Sequence, residues 1–91
     1  MAAVQRKADA NNGGGVISST AHSTVFANDK LISVNGSTVA THPAGAGVHA
    51  GATTANGSST VFAGGIAINR TGDADSCTHA RIGGSDDVFV G

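Results

Sequence analysis

Gly57-Ser58-Ser59-Thr60-Val61-Phe62-Ala63 decides the fold, because the chain repeats it in altered form on either side. Ala21-His22-Ser23-Thr24-Val25-Phe26-Ala27 comes before it, and Gly84-Ser85-Asp86-Asp87-Val88-Phe89-Val90 after it. Each copy is a small residue, a polar trio, Val-Phe, then a small or branched residue. A second element recurs further out: Arg6-Lys7-Ala8-Asp9 resembles Arg70-Thr71-Gly72-Asp73, and each precedes a Gly- or Cys-containing turn and then a Val-Phe unit. One such unit cannot bury its apolar face alone, so the copies must pack together. A longer Gly/Ala/Thr segment, 44–55, makes the spacing uneven. That predicts three small sheets sharing one thin core in place of a uniform solenoid.

The intervening runs are β-type. Leu31-Ile32-Ser33-Val34 and Ser37-Thr38-Val39-Ala40-Thr41 flank Asn35-Gly36, a sequence that predicts a hairpin between them. Ile66-Ala67-Ile68-Asn69 alternates in the strand sense, and Pro43 is expected to break the strand after His42. No window carries a helical period, and β-branched residues are frequent. The fold class expected is all-β: three short antiparallel β-sheets related by pseudo-threefold symmetry.

Residues 1–91 are expected to form a single domain, with a modest core. Of the residues, 40% are hydrophobic, but much of that is alanine, with three phenylalanines and no tryptophan or tyrosine. Thin cores need a staple. Cys77 is the one cysteine, which excludes an internal disulfide and leaves a metal or a partner. The formal charge is −1 and the five basic residues form no patch, so nucleic acid is not an expected partner. No apolar run follows Arg6 and Lys7 as in a secretory signal, and none reaches the ~20 residues that span a bilayer. The expectation is cytoplasmic synthesis without a signal peptide, with any export performed by a machine.

Candidate ligands sit mostly in loops: His42, His49, Cys77 and His79. His22 instead lies inside a Val-Phe unit, where the other copies have Ser58 and Ser85. Zinc takes neutral imidazole and thiolate in tetrahedral geometry, and one thiolate with three imidazoles closes its shell. Cys77-x-His79 can place two ligands on one turn, and His42 and His49 bracket a flexible loop, although the spacing matches no standard zinc finger. The repeated Arg6/Asp9 and Arg70/Asp73 pairs are read as Asx-turns with structural ion pairs in preference to a catalytic acid and base. Asp86-Asp87 is read as a solvated turn.

These residues resemble the PAAR-repeat proteins, which cap the spike of type VI secretion systems, contractile-tailed phages and related injection devices. Arg70-Thr71-Gly72-Asp73-Ala74-Asp75-Ser76-Cys77 is similar to the family's Arg-x-Gly-Asp stretch followed by a His or Cys. Ile82-Gly83-Gly84-Ser85-Asp86-Asp87-Val88 is similar to its branched residue and Gly-Ser-x-x-Val, and Gly57-Ser58-Ser59-Thr60-Val61 matches as well. The resemblance spans nearly the whole chain. It implies a sharp cone of three small sheets with one structural zinc near the apex, held by three histidines and one cysteine. On that basis the ligands are assigned to His42, His49, Cys77 and His79, with His22 in reserve. It also implies a non-enzymatic role: capping a trimeric β-helical spike protein, one tip per trimer, and transient contact with a target membrane. The tip itself would be a monomer, delivered outside the cell. Two features depart from the family. The Pro-Ala-Ala-Arg string is absent, and Gly13 stands where the repeat aligned on Cys77 would place the first His. Gly13-Gly14-Gly15 is read as a tight backbone turn.

Two rival readings remain from sequence. A metal-free β-repeat structural or adhesive protein suits the Thr, Ser, Ala and Gly content but predicts even spacing. A small zinc enzyme needs an open coordination position and a nearby general base.

Overall fold

The computed structural model describes residues 2–20, 22–44 and 47–91, apart from the side chain of Ala44. The described residues form no helix. They form ten short strands: β1 (Ala2–Ala3), β2 (Ile17–Ser19), β3 (Phe26–Ala27), β4 (Lys30–Leu31), β5 (Thr38–Val39), β6 (His42–Ala44), β7 (Gly47–His49), β8 (Phe62–Ala63), β9 (Ile66–Ala67) and β10 (Phe89–Val90). They pair as five antiparallel two-stranded sheets: β1–β10, β2–β5, β3–β4, β6–β7 and β8–β9. The all-β class expected from the sequence is therefore observed, in a body of 36 × 23 × 22 Å.

The three Val-Phe copies become corresponding strand pairs. Phe26 pairs with Leu31 and Ala27 with Lys30. Phe62 pairs with Ala67 and Ala63 with Ile66. In the last copy Phe89 pairs with Ala3 and Val90 with Ala2, so here the two strands come from opposite ends of the chain. The first two pairs are closed by two-residue turns with positive φ at both positions, at Asn28-Asp29 and Gly64-Gly65. Those are type I′ turns, whose twist matches that of the flanking strands.

Above these hairpins, three strand segments close a ring. Gln5 N–H donates to the Asn69 carbonyl (3.0 Å), Asn69 N–H to Ser33 (3.0 Å) and Ser33 N–H to Gln5 (2.9 Å). All three residues are fully buried. Each segment then enters a turn, with Asp9 N–H donating to Arg6, Ser37 N–H to Val34 and Asp73 N–H to Arg70. The third residue of each turn has positive φ: 78° at Ala8, 86° at Gly36 and 93° at Gly72. A type II turn requires this. Asn35-Gly36 is thus a turn, but its flanks do not pair as the expected hairpin. Thr38–Val39 pairs with Ile17–Ser19, and Lys30–Leu31 with Phe26–Ala27. The chain leaves the turn into a different layer because the ring holds the incoming segment on both edges.

The repeated ion pairs serve these turns. Asp9 accepts from the Arg6 backbone N–H (2.8 Å) and from its Nε (2.9 Å). Asp73 accepts from Arg70 in the same way (2.8 and 3.0 Å). The side-chain hydrogen bond that each aspartate accepts holds its arginine above the ordinary pKa, against a smaller opposing effect of burial.

Beyond the turns comes a second set of hairpins, marked by the bridges Ala10↔Val16, Thr38↔Thr53 and Ala74↔Ala80. The main apolar cluster lies on the other side of the ring: Val4, Ala27, Ile32, Val34, Ala63, Ile68 and Val90; Ile17 and Val39, paired between β2 and β5, are buried apart from it. Side chains buried in the upper part are mostly polar, including Asn11, Ser37, Thr54, Asp75 and Arg81.

Gly72 has open space where a Cβ would lie, so only its φ resists substitution. Gly72→Ala is expected to destabilise the fold by about 1 kcal/mol, the usual cost of the left-handed region for an L-residue. Ala8→Gly, which relieves the same strain, should shift the denaturation midpoint the opposite way. Urea titration of both variants checks the pair.

Candidate metal centre

Two loops of equal length show how the ligands are placed. In one, Asn11 N–H donates to Gly15 and Gly14 N–H to Asn11. In the other, Asp75 N–H donates to His79 and Thr78 N–H to Asp75. Each is a turn closed by a left-handed residue, Gly14 at φ 88° and Thr78 at φ 73°. Cys77 and His79 flank Thr78, so the reversal presents both side chains to one side. The corresponding positions of the other loop are Gly13 and Gly15.

The third loop, between Thr38 and Thr53, is longer. It carries its own ladder, with His42 opposite His49 and Pro43 opposite Val48. Cross-strand partners share a face, which brings the two imidazoles together. Pro43 therefore sits within a strand and does not break it. A two-stranded ladder has free edges, and there the missing N–H costs no bond.

One ligand atom each from His42, His49, Cys77 and His79 lies within 4.8 Å of the others. His42 Nε2 is 3.0 Å from His79 Nδ1, and Cys77 Sγ is 3.7 Å from both. Metal–nitrogen bonds of about 2.0 Å and metal–sulfur bonds of about 2.3 Å in tetrahedral geometry place ligand atoms about 3.3 Å (N···N) and about 3.5 Å (S···N) apart. His42 Nδ1–H donates to the Ala40 carbonyl (2.8 Å), which leaves the lone pair on Nε2. His49 Nδ1 is buried without a hydrogen-bond partner among the described residues. A buried imidazole nitrogen left this way is accounted for if a cation lies among the four side chains. These residues could hold a metal ion, and they are the four expected from the sequence.

His22 lies apart from this group. Its Nε2 is 3.0 Å from Thr24 Oγ1, and its ring packs where a Cβ on Gly64 would fall. Ser58 and Ser85, at the matching positions, accept backbone N–H bonds from the residues two and three ahead.

Gly13 and Gly15 do more than turn the backbone. A Cβ on Gly13 would lie 2.3 Å from His79 Cε1, and one on Gly15 would lie 2.5 Å from His42 Nδ1. The glycine loop is the back wall of the site.

Sequence reading missed the network beneath. Arg81 and Asp75 have fully buried side chains, with Nη1 3.4 Å from Oδ2. Asn11 Nδ2 donates to the same Asp75 oxygen (2.8 Å), and Asn11 Oδ1 accepts from the N–H groups of Gly13 and Gly15. Burial pushes the Arg81 guanidinium below its ordinary pKa, and Asp75 opposes that. One signal for half of this was available: Asn11 and Asp75 both stand five residues after the repeated arginines. No protein-family model matches the chain, and a search of curated proteins finds no match.

Gly13→Ala and Gly15→Ala are each expected to weaken metal uptake at least about tenfold, the scale of outer-shell disruption. Gly14→Ala, with open space around its Cβ, should leave uptake unchanged and cost only backbone strain. Chelator competition on the three variants checks the contrast.

Proposed function

We propose that this protein is the zinc-pinned tip of a membrane-piercing spike, acting by shape and docking. The observation that carries the reading is the convergence of one thiolate and three imidazoles from two loops at the upper end. A donor set of that composition suits zinc and fills a tetrahedral shell, leaving no position for a substrate or activated water. That speaks against the zinc-enzyme reading. The centre's energetic weight also fits a structural role. Val4, Ile32, Val34, Ile68 and Val90, the five larger side chains of the core cluster, contribute roughly 10 kcal/mol in total. Structural zinc contributes about 10–16 kcal/mol in small peptides at neutral pH. At a narrow apex a metal can tie chain segments where apolar side chains have no room.

The opposite end suits a threefold partner. Phe26, Phe62 and Phe89 occupy corresponding positions and are 58%, 54% and 45% exposed. In this reading the closed backbone ring and its repeated turns give the cone pseudo-threefold symmetry. Its base docks on the blunt end of a trimeric β-helical spike protein, one tip per trimer. Contraction of the device then drives the tip into a target membrane. The resemblance to PAAR-repeat proteins supports the same assignment, including cytoplasmic synthesis and delivery outside the cell.

Metal content by mass spectrometry tests the centre. The wild type should carry one zinc per chain, kept by His22→Ala and lost or weakened in His42→Ala, His49→Ala, Cys77→Ser and His79→Ala. A well-folded wild type without metal would sink the reading in favour of a metal-free β-repeat protein. Docking is tested separately by co-purification with the trimeric spike protein. Phe26→Asp, Phe62→Asp and Phe89→Asp should each reduce recovery while leaving zinc content unchanged.

A further inference from the structure

Arg81 is among the most buried side chains of the protein and the largest of them. Removing a guanidinium from water is costly, so a chain keeps one inside only where it is well compensated. Compensation here comes from three directions. Asp75 supplies charge at 3.4 Å, and the carbonyls of Asp9 and Gly15 accept from Nη2 at 3.1 and 2.7 Å. The segments tied are informative. Asp75 begins the loop that carries Cys77 and His79, and Gly15 ends the loop that backs the imidazoles of His42 and His79. Asn11 closes the circuit, donating to Asp75 while accepting from Gly13 and Gly15. The compensation is incomplete, because Arg81 Nε and Nη1 and Asp75 Oδ1 make no hydrogen bond among the described residues. An apolar pair of similar volume would stabilise the fold at least as well. Fold stability alone therefore does not account for the choice of residues.

We propose that Arg81 is the positioning residue of the metal centre, holding loop 75–79 against loop 11–15 at the separation at which the ligands converge. This rests on the metal reading above. The cradle formed by the two short loops is then set before the ion arrives, and only the paired strands His42–Ala44 and Gly47–His49 close over it. Among the described residues Arg81 makes no hydrogen bond to a ligand atom; it acts through Asp75, Asn11 and Gly15.

The test uses the whole chain, with zinc or Co²⁺ as the probe. Arg81→Lys keeps the charge but loses the fork of donors. It should weaken metal affinity by roughly 10–100-fold and alter the Co²⁺ ligand-field spectrum. Arg81→Met combined with Asp75→Leu should recover thermal stability without recovering affinity or spectrum. Recovery of all three properties in the double variant, or wild-type affinity and spectrum in Arg81→Lys, would overturn the proposal. Hydrogen exchange on the metal-free wild type gives a reading that needs no variant to fold. The N–H groups of Gly13, Gly15, Asp75 and Arg81 should stay protected while those of 47–49 exchange. Free exchange at all of them would show that the cradle is not preset, and would also overturn the proposal. A wild type that takes up no metal would instead defeat the metal reading itself, and the exchange pattern would still report on the tie.

Discussion

Three backbone hydrogen bonds, linking Gln5, Asn69 and Ser33 head to tail, are the constraint on which the molecule depends. Strands of two or three residues cannot hold a sheet together by themselves. The ring solves this by giving each short segment partners on both edges, so no segment relies on a single ladder. Because the three residues are wholly buried, their N–H and C=O groups have no access to water, and opening one bond strands its partners. The ring also divides the interior. The main apolar cluster gathers on the hairpin side, while on the other side Ile17 and Val39 are buried among mostly polar side chains that include the candidate metal-ligand set.

That division explains why two kinds of staple coexist. Below the ring, branched side chains from the three units fill a common space and supply ordinary hydrophobic burial. Above it lie three hairpin loops, where directed contacts join the burial of Ile17 and Val39. Asp75, Asn11 and Arg81 link two of the loops, while His42, His49, Cys77 and His79 link the third to one of them. Directed contacts tolerate small volumes that hydrophobic packing cannot use, but each demands a specific partner. The glycines at 13 and 15 are part of that demand, since any larger residue would occupy the space of an imidazole.

The three units are unequal in a way that serves the site. At the two positions where one loop offers Cys77 and His79, its counterpart offers Gly13 and Gly15, and the longer loop supplies both remaining ligands from one ladder. Ligands on every unit would place more side chains at the site than one ion can bind. Removing them from one unit leaves four ligands and a wall.

Much of this could be read in the chain itself. The repeated Val-Phe units, the absence of a helical period and the glycine-bearing turns determined an all-β fold of corresponding units, because local pattern and turn chemistry act over a few residues. The four residues that could hold a metal ion were legible from their types, aided by the family resemblance, although His42 and His49 stand opposite each other in a ladder and not in the loops expected. Tertiary structure decided the rest. Asn35-Gly36 has the local signature of a hairpin, yet the ring takes its incoming strand and sends the outgoing one to Ile17–Ser19. Pro43 looked like a strand end, but a ladder with free edges accepts it. Arg81 gives no local sign of burial, since its charge would place it at the surface. Asp75 is six residues away, but the two carbonyls that accept from the Arg81 guanidinium, Gly15 and Asp9, lie 66 and 72 residues away along the chain. Contacts over such separations are fixed only once the units close on one another, so no window of sequence contains them.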